Sequence, residues 1–178
     1  MSNDIKSKLK FCGNNVKIHP LAKIINPQNI VVGEGSQIDD FTFINGGKGL
    51  CIGKYVHFTY FSSLTGTGTA NIGDYVGIAS GVRIFTATNI HEKAWSMSAA
   101  APKKIQNVKE GHVEIKDFAF IGSNSVVMPD VTIGEGAVIG ALSLVLKDVE
   151  QWSINVGIPC RKISERKKPI YPIQEEHS

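Results

Sequence analysis

From residue 115 to residue 145 a large aliphatic residue returns every six positions: Ile115, Ile121, Val127, Ile133, Ile139 and Val145. Four places after each stands a small or β-branched residue, in order Ala119, Ser125, Val131, Ala137, Ser143 and Val149. The upstream half keeps the same period in phases: Ile18, Ile24, Ile30; Val32, Ile38, Ile44; Ile52, Phe58, Leu64; Ile72, Ile78, Ile84. Its fifth places hold Ala22, Ser36, Thr42, Val56, Ser62, Gly68, Val76, Val82 and Thr88, with Gln28, Glu34 and Lys48 as breaks. A helix would need a period near 3.6 and would be broken by Pro20, Pro27, Pro129 and the recurrent glycines. A β-sandwich would alternate with period two, with turns every 8–12 residues. Six residues do make one short strand plus a turn. Three such units close a triangular coil of eighteen residues, and coils stacked about 4.8 Å apart pair their backbones. The pattern therefore predicts an all-β chain, a parallel β-helix with the large aliphatics and the small fifth residues inside. Each buried Ile or Val contributes roughly 1.5–3 kcal/mol, which makes such a ladder a sufficient core.

The period also sets the organisation. Residues 1–15 are expected as an N-terminal cap, with a short helix over 3–12, and residues 16–149 as the β-helix. Residues 85–112 contain no complete hexad and are read as a projecting loop, since insertions in a solenoid fall on one face. Residues 150–178 are read as a C-terminal cap and basic tail, with Trp152 and Ile154 covering the last coil.

Composition narrows the function classes. Nineteen Lys and Arg against sixteen Asp and Glu give a net charge of +3, too mild for a nucleic-acid binder. No apolar run approaches the roughly 20 residues of a membrane span. The opening MSNDIKSKLKFCGNN has no apolar signal region, so a cytoplasmic location is expected. Cys12, Cys51 and Cys160 lack metal-ligand spacing and read as reduced thiols.

The segments IGDYVGIASGVRI, IGSNSVVMPDVTIGEGAVIGALSLVLKD and VGIPCRKI resemble the left-handed β-helix hexapeptide acyltransferases. Within them the chain is similar to the galactoside, maltose and xenobiotic acetyltransferases and to the sugar O- and N-acetyltransferases of polysaccharide biosynthesis. The resemblance covers roughly residues 16–166. It implies a left-handed helix, acetyl-CoA as co-substrate without a required metal, a homotrimer, and an active site between two subunits. The implied acceptor is a sugar or nucleotide-sugar. For the coenzyme the resemblance suggests Ser123 and Ala141 beside the pantetheine arm, and Lys147 and Arg161 at the nucleotide phosphates. Leu146, Ser164 and Asp130 depart from the family pattern, which commonly has threonine, a second arginine and glycine there.

Acyl transfer from a thioester requires a base for the acceptor proton and a donor for the developing oxyanion. Two histidines are candidates for the base. His91, in TATNIHEK of the projecting loop, matches the loop that carries the family's histidine, although an ungapped comparison puts Asn89 at that place. His57 ends the hexad IGKYVH at the outward sixth position, ahead of the polar run FTYFSSLTGTGT. The two are 34 residues apart, close to two coils, and can share a site. Asn89, Tyr60 and Trp95 are the acceptor-contact candidates, the aromatics by stacking on a sugar ring or base. His19, His112 and His177 read as structural or solvated. Cys160 has basic neighbours that can lower a thiol pKa, yet it stands where relatives have alanine and is not read as a nucleophile. Two other classes stand beside the enzyme reading. One is a non-catalytic scaffold solenoid. The other is a zinc hydratase of the γ-carbonic-anhydrase type, which needs three histidine ligands.

Overall fold

A computed structural model describes residues 5–92 and 95–169. Three flat walls of short parallel strands stack coil upon coil. The first wall runs Phe11–Cys12, Ile30–Val32, Gly49–Ile52, Thr69–Ile72, His112–Ile115 and Val131–Ile133. The second runs Lys17–Ile18, Gln37–Ile38, His57–Phe58, Gly77–Ile78, Phe120–Ile121, Val138–Ile139 and Ser153–Val156. The third runs Lys23–Ile25, Phe43–Asn45, Ser63–Thr65, Arg83–Phe85, Val126–Val127 and Leu144–Val145. The chain is thus a left-handed parallel β-helix built on the six-residue period.

The aliphatic ladder fills the interior: Ile38, Ile44, Phe58, Ile78, Ile84, Ile121, Ile133 and Ile139 are all at most 1% exposed. The fifth places are buried beside it, and their hydroxyls have defined work. Ser36 Oγ donates to Gly53 O at 2.8 Å, Ser125 Oγ to Gly140 O at 3.0 Å, and Ser143 Oγ to the same carbonyl at 2.7 Å. A small side chain there fits the corner and satisfies a carbonyl that no ladder bond reaches.

Two details differ from the sequence expectation. The coils up to Ile78 take twenty residues rather than eighteen, since Ile18, Ile38, Phe58 and Ile78 stand in register. The two extra residues enter at the corner between the third and first walls, where Pro27–Asn29 forms a 3-10 turn. From Ile121 to Ile139 the count is eighteen. The second difference is Thr88, which is not a core fifth place; it lies on Ala87–Asn89, which leaves the helix and pairs antiparallel with Val108–Glu110. Phe85 still belongs to the third wall and His112 already to the first, so the projecting segment is 86–111.

The corners carry aromatic residues in left-handed backbone conformation, an arrangement that costs about 1–3 kcal/mol per non-glycine residue. Tyr55, Tyr75 and Phe118, with φ of 54°, 59° and 60°, stack at centroid distances of 5.2 and 5.3 Å. Phe41 and Phe61 stack at 5.2 Å on the corner between the second and third walls. Such pairs return about 0.5–1.5 kcal/mol each beyond their burial.

At the N-terminal end only Ile5 and Lys6 of the described residues are helical; a turn follows and Leu9 buries against the first coil. At the other end Ser153–Val156 and Arg161–Glu165 form an antiparallel pair at the edge of the second wall. Trp152 lies over Gly136, whose φ is 64° and where a Cβ would sit 2.5 Å from the indole. The Arg166 guanidinium stands 5.4 Å above that ring and donates to Phe118 O and Gly136 O, both at 2.9 Å.

Candidate active site

Strand alternation sends every second residue of the second wall outward. Opposite the buried Ile18, Ile38, Phe58, Ile78, Ile121 and Ile139, the outward row is Lys17, Gln37, His57, Gly77, Phe120 and Val138. His57 sits mid-row with its side chain 45% exposed. Its Nε2 lies 2.9 Å from Asp39 Oδ2, and Gln37 Nε2 donates to Asp39 Oδ1 at 2.7 Å. His19 Nε2 stands 3.8 Å from Asp39 and its Nδ1 3.9 Å from Asp40. Burial works against the charge on Asp39, but the hydrogen bonds from Gln37 and His57 and the two nearby imidazoles outweigh it, so the carboxyl is held below its ordinary value. Asp39 is therefore a carboxylate, and a neutral His57 donating Nε2–H to it carries its lone pair on Nδ1.

Two hollows flank this pair. The upper one, about 250 Å³, is lined by His57, Thr59, Tyr60, Gly77, Ala79, Ser80, Phe120 and Ser123. Thr59 donates its hydroxyl to Ile78 O at 3.0 Å, whereas Ser80 Oγ and Ser123 Oγ face each other at 3.4 Å. The lower one, about 460 Å³, is lined by His19, Gln37, Asp39, Asp40, Phe41, Tyr60 and Phe61. Tyr60 borders both. A larger hollow of about 560 Å³ lies over Ile72 and Ile115 of the first wall. Its charges are spent internally: Glu114 takes hydrogen bonds from Lys116 at 2.7 Å and Asn71 at 3.1 Å, and Asp117 caps the Asp74 N–H at 2.8 Å.

His57, Tyr60 and Ser123 thus come together. Ala141 stands one coil above Ser123 on the same corner, where Leu142 N donates to Ser123 O at 2.9 Å. Lys147 is exposed just past the last strand of the third wall, and Arg161 is exposed at the start of the strand that pairs with Ser153–Val156 on the second wall. Asn89, His91 and Trp95 stand apart on the projecting segment, which leaves the helix between the third and first walls. His91 is exposed and Trp95 is 93% exposed. Asn89 donates to Met97 O at 3.4 Å, while its Oδ1 is buried without a hydrogen-bond partner among the described residues. His112 contacts Thr69 Oγ1 at 2.8 Å and Glu114 at 2.9 Å on the first wall, and His177 lies outside the described residues. Burial raises the Cys160 thiol above its ordinary value despite Arg161, so its basic neighbours do not activate it. Among the described residues no three His, Cys, Asp or Glu are grouped to hold a metal ion.

Asp39, Ser80 and Phe120 were not singled out by the sequence, and His19 was read there as structural. A signal for Asp39 was present: it precedes His57 by eighteen residues, the coil length the hexads predict, whereas the observed register sets Gln37 level with His57 and Asp39 two residues further along the same edge.

Residues 112–147 match the model of the bacterial transferase hexapeptide family (six repeats). The chain is 38% identical over 166 residues to the dTDP-4-amino-4,6-dideoxy-D-glucose acyltransferase of Escherichia coli, covering 93% of this chain and 86% of that protein. It belongs to the hexapeptide-repeat acyltransferases. Among solved structures this acyltransferase is similar to AntD, an N-acyltransferase from Bacillus cereus, with a TM-score of 0.87 and 34% identity over 94% of this chain and 90% of that one. AntD has been solved with dTDP-4-amino-4,6-dideoxyglucose and coenzyme A, and with dTDP and 3-hydroxybutyryl-CoA. The galactoside O-acetyltransferase of Escherichia coli K12 is 29% identical over 152 residues, 83% of this chain and 71% of that protein.

Proposed function

We propose that this enzyme transfers the acyl group of an acyl-coenzyme A, acetyl-CoA in the first instance, to the amine of a nucleotide-linked amino sugar. The observation that carries the mechanism is an imidazole held by a carboxylate between two clefts of unlike chemistry. The upper cleft, with its apolar floor and the Ser80–Ser123 hydroxyl pair, takes the thioester. The lower, with Asp39, Asp40, His19 and the Phe41–Phe61 stack, takes the acceptor. Support for an amino-sugar acceptor comes from the Escherichia coli relative and from AntD, which carries a dTDP-amino sugar and coenzyme A.

In the transfer the acceptor nitrogen attacks the thioester carbonyl and forms the N–C bond. His57 Nδ1 takes the nitrogen's proton, and Asp39 stabilises the resulting imidazolium. The Ser80 and Ser123 hydroxyls donate to the oxyanion. The C–S bond then breaks, and the leaving thiolate recovers the proton from His57, giving the amide and free coenzyme A. Ala141 lines the path of the pantetheine arm, with Lys147 and Arg161 at its phosphates. The enzyme works as a homotrimer, and the segment bearing Asn89, His91 and Trp95 closes over the cleft of a neighbouring copy.

The test is thiol release from acetyl-CoA with dTDP-4-amino-4,6-dideoxyglucose as acceptor. His57→Ala is expected to lower kcat by about 10²–10⁴-fold, the usual contribution of a general base. A wild-type kcat in that variant would remove His57 from the mechanism and return the role to His91.

A further inference from the structure

We propose that Phe120 sets the length of the acyl chain this enzyme accepts; the proposal rests on the acyl-transfer reading above and adds the group's size to it. Phe120 projects outward from the second wall and is 44% exposed. Its register neighbour one coil below is Gly77, and below that His57. A Cβ on Gly77 would lie 2.9 Å from Phe120 Cδ2, so the ring leans down into the place a side chain at 77 would occupy. The ring edge therefore bounds the upper cleft, and Ala79 lies on its floor.

The two clefts divide the substrates by polarity. The lower one presents His19, Asp39 and Asp40, which suit an amine and sugar hydroxyls. An alkyl chain avoids those groups and runs from the serine pair toward Phe120 and Ala79. A carbonyl at Ser80 and Ser123 borders the same cleft as His57. The ring then stands at the far end of the chain and limits its length. Ala79 is the second determinant. Its equivalent one coil below is the β-branched Thr59, so the backbone at this place tolerates a branched side chain.

The experiment measures kcat/KM for acetyl-CoA and butyryl-CoA with the amino-sugar acceptor, on wild type, Phe120→Leu, Phe120→Ala and Ala79→Val. Phe120→Ala is expected to raise the butyryl-to-acetyl ratio by about 10-fold or more, the range in which one or two methylenes are discriminated. Phe120→Leu should fall between it and wild type, and Ala79→Val should move the ratio the other way. The side chain of Phe120 points away from the core, so circular dichroism and melting temperature should stay close to wild type. An unchanged ratio in folded, active variants would overturn the role of Phe120 and leave acyl transfer standing. No thiol release by wild type from either donor would remove the acyl-transfer reading and this proposal with it.

Discussion

Asp39 accepts from Gln37 on one oxygen and faces His57 on the other. Against the cost of burial, the hydrogen bonds from Gln37 and His57 hold its carboxyl below the ordinary value, so it is ionised at neutral pH. Asp39→Asn removes the charge while keeping the shape. A hydrogen bond to a charged group contributes about 1.5–3 kcal/mol, which corresponds to about 10–100-fold in rate. The variant is expected to lower kcat by that factor with little change in KM for acetyl-CoA. A fall in affinity with kcat intact would instead make Asp39 an acceptor contact. His57 was legible in the sequence, because a sixth-place residue faces outward whatever the coil length. Its partner was not. The twenty-residue coil sets Gln37 level with His57, and the contact with Asp39 two residues further along depends on how both side chains turn along the edge, which no hexad records.

Among the elements, the projecting segment is tied to the helix at its exit. Asp130, at a corner with φ of 61°, accepts from Lys109 Nζ at 2.6 Å and from the His112 N–H at 3.1 Å. These bonds, with that of Lys109 first, hold its carboxyl below the ordinary value. A carboxyl with a depressed folded value stabilises the structure above its unfolded value, near 3.9, and loses that contribution as pH falls through the folded one. The tie is thus complete at neutral pH and is expected to release below about pH 4. Hydrogen exchange over residues 86–111 should rise there while the coils stay protected, and Asp130→Ala should produce the same pattern at pH 7. Uniform exchange across the segment and the coils would contradict it. A carboxylate at this corner caps the returning strand by accepting from its His112 N–H.

The molecule as a whole is a column whose interior is filled by its own side chains, so its chemistry has to take place on the outside. The projecting segment adds no strand to the three walls; Gly111 N donates to Thr86 O at 2.8 Å and closes the coil beneath it. Replacing residues 91–106 by a short glycine linker is expected to preserve the circular dichroism spectrum and a sedimentation mass of three shortened chains, as the intact protein is expected to give three times 19.3 kDa. Transfer activity should fall at least about 10-fold, the scale of losing substrate-positioning contacts. Full activity in the shortened protein would show that the segment does not complete the site; a monomeric mass for the intact protein would remove the shared cleft.

The sequence alone determined the winding, the inward ladder, the place of the insertion and the outward aim of His57. All of these follow from a period short enough to read along the chain. Only the tertiary structure decided which residues meet across coils: Asp39 with His57, Ser80 with Ser123, Phe120 over Gly77, Asp130 with Lys109. Those contacts join positions 18 to 43 residues apart, and each depends on how many residues every intervening coil takes at its corners. A repeat fixes the direction of each side chain locally, while a site needs the sum of all the corner lengths between its parts.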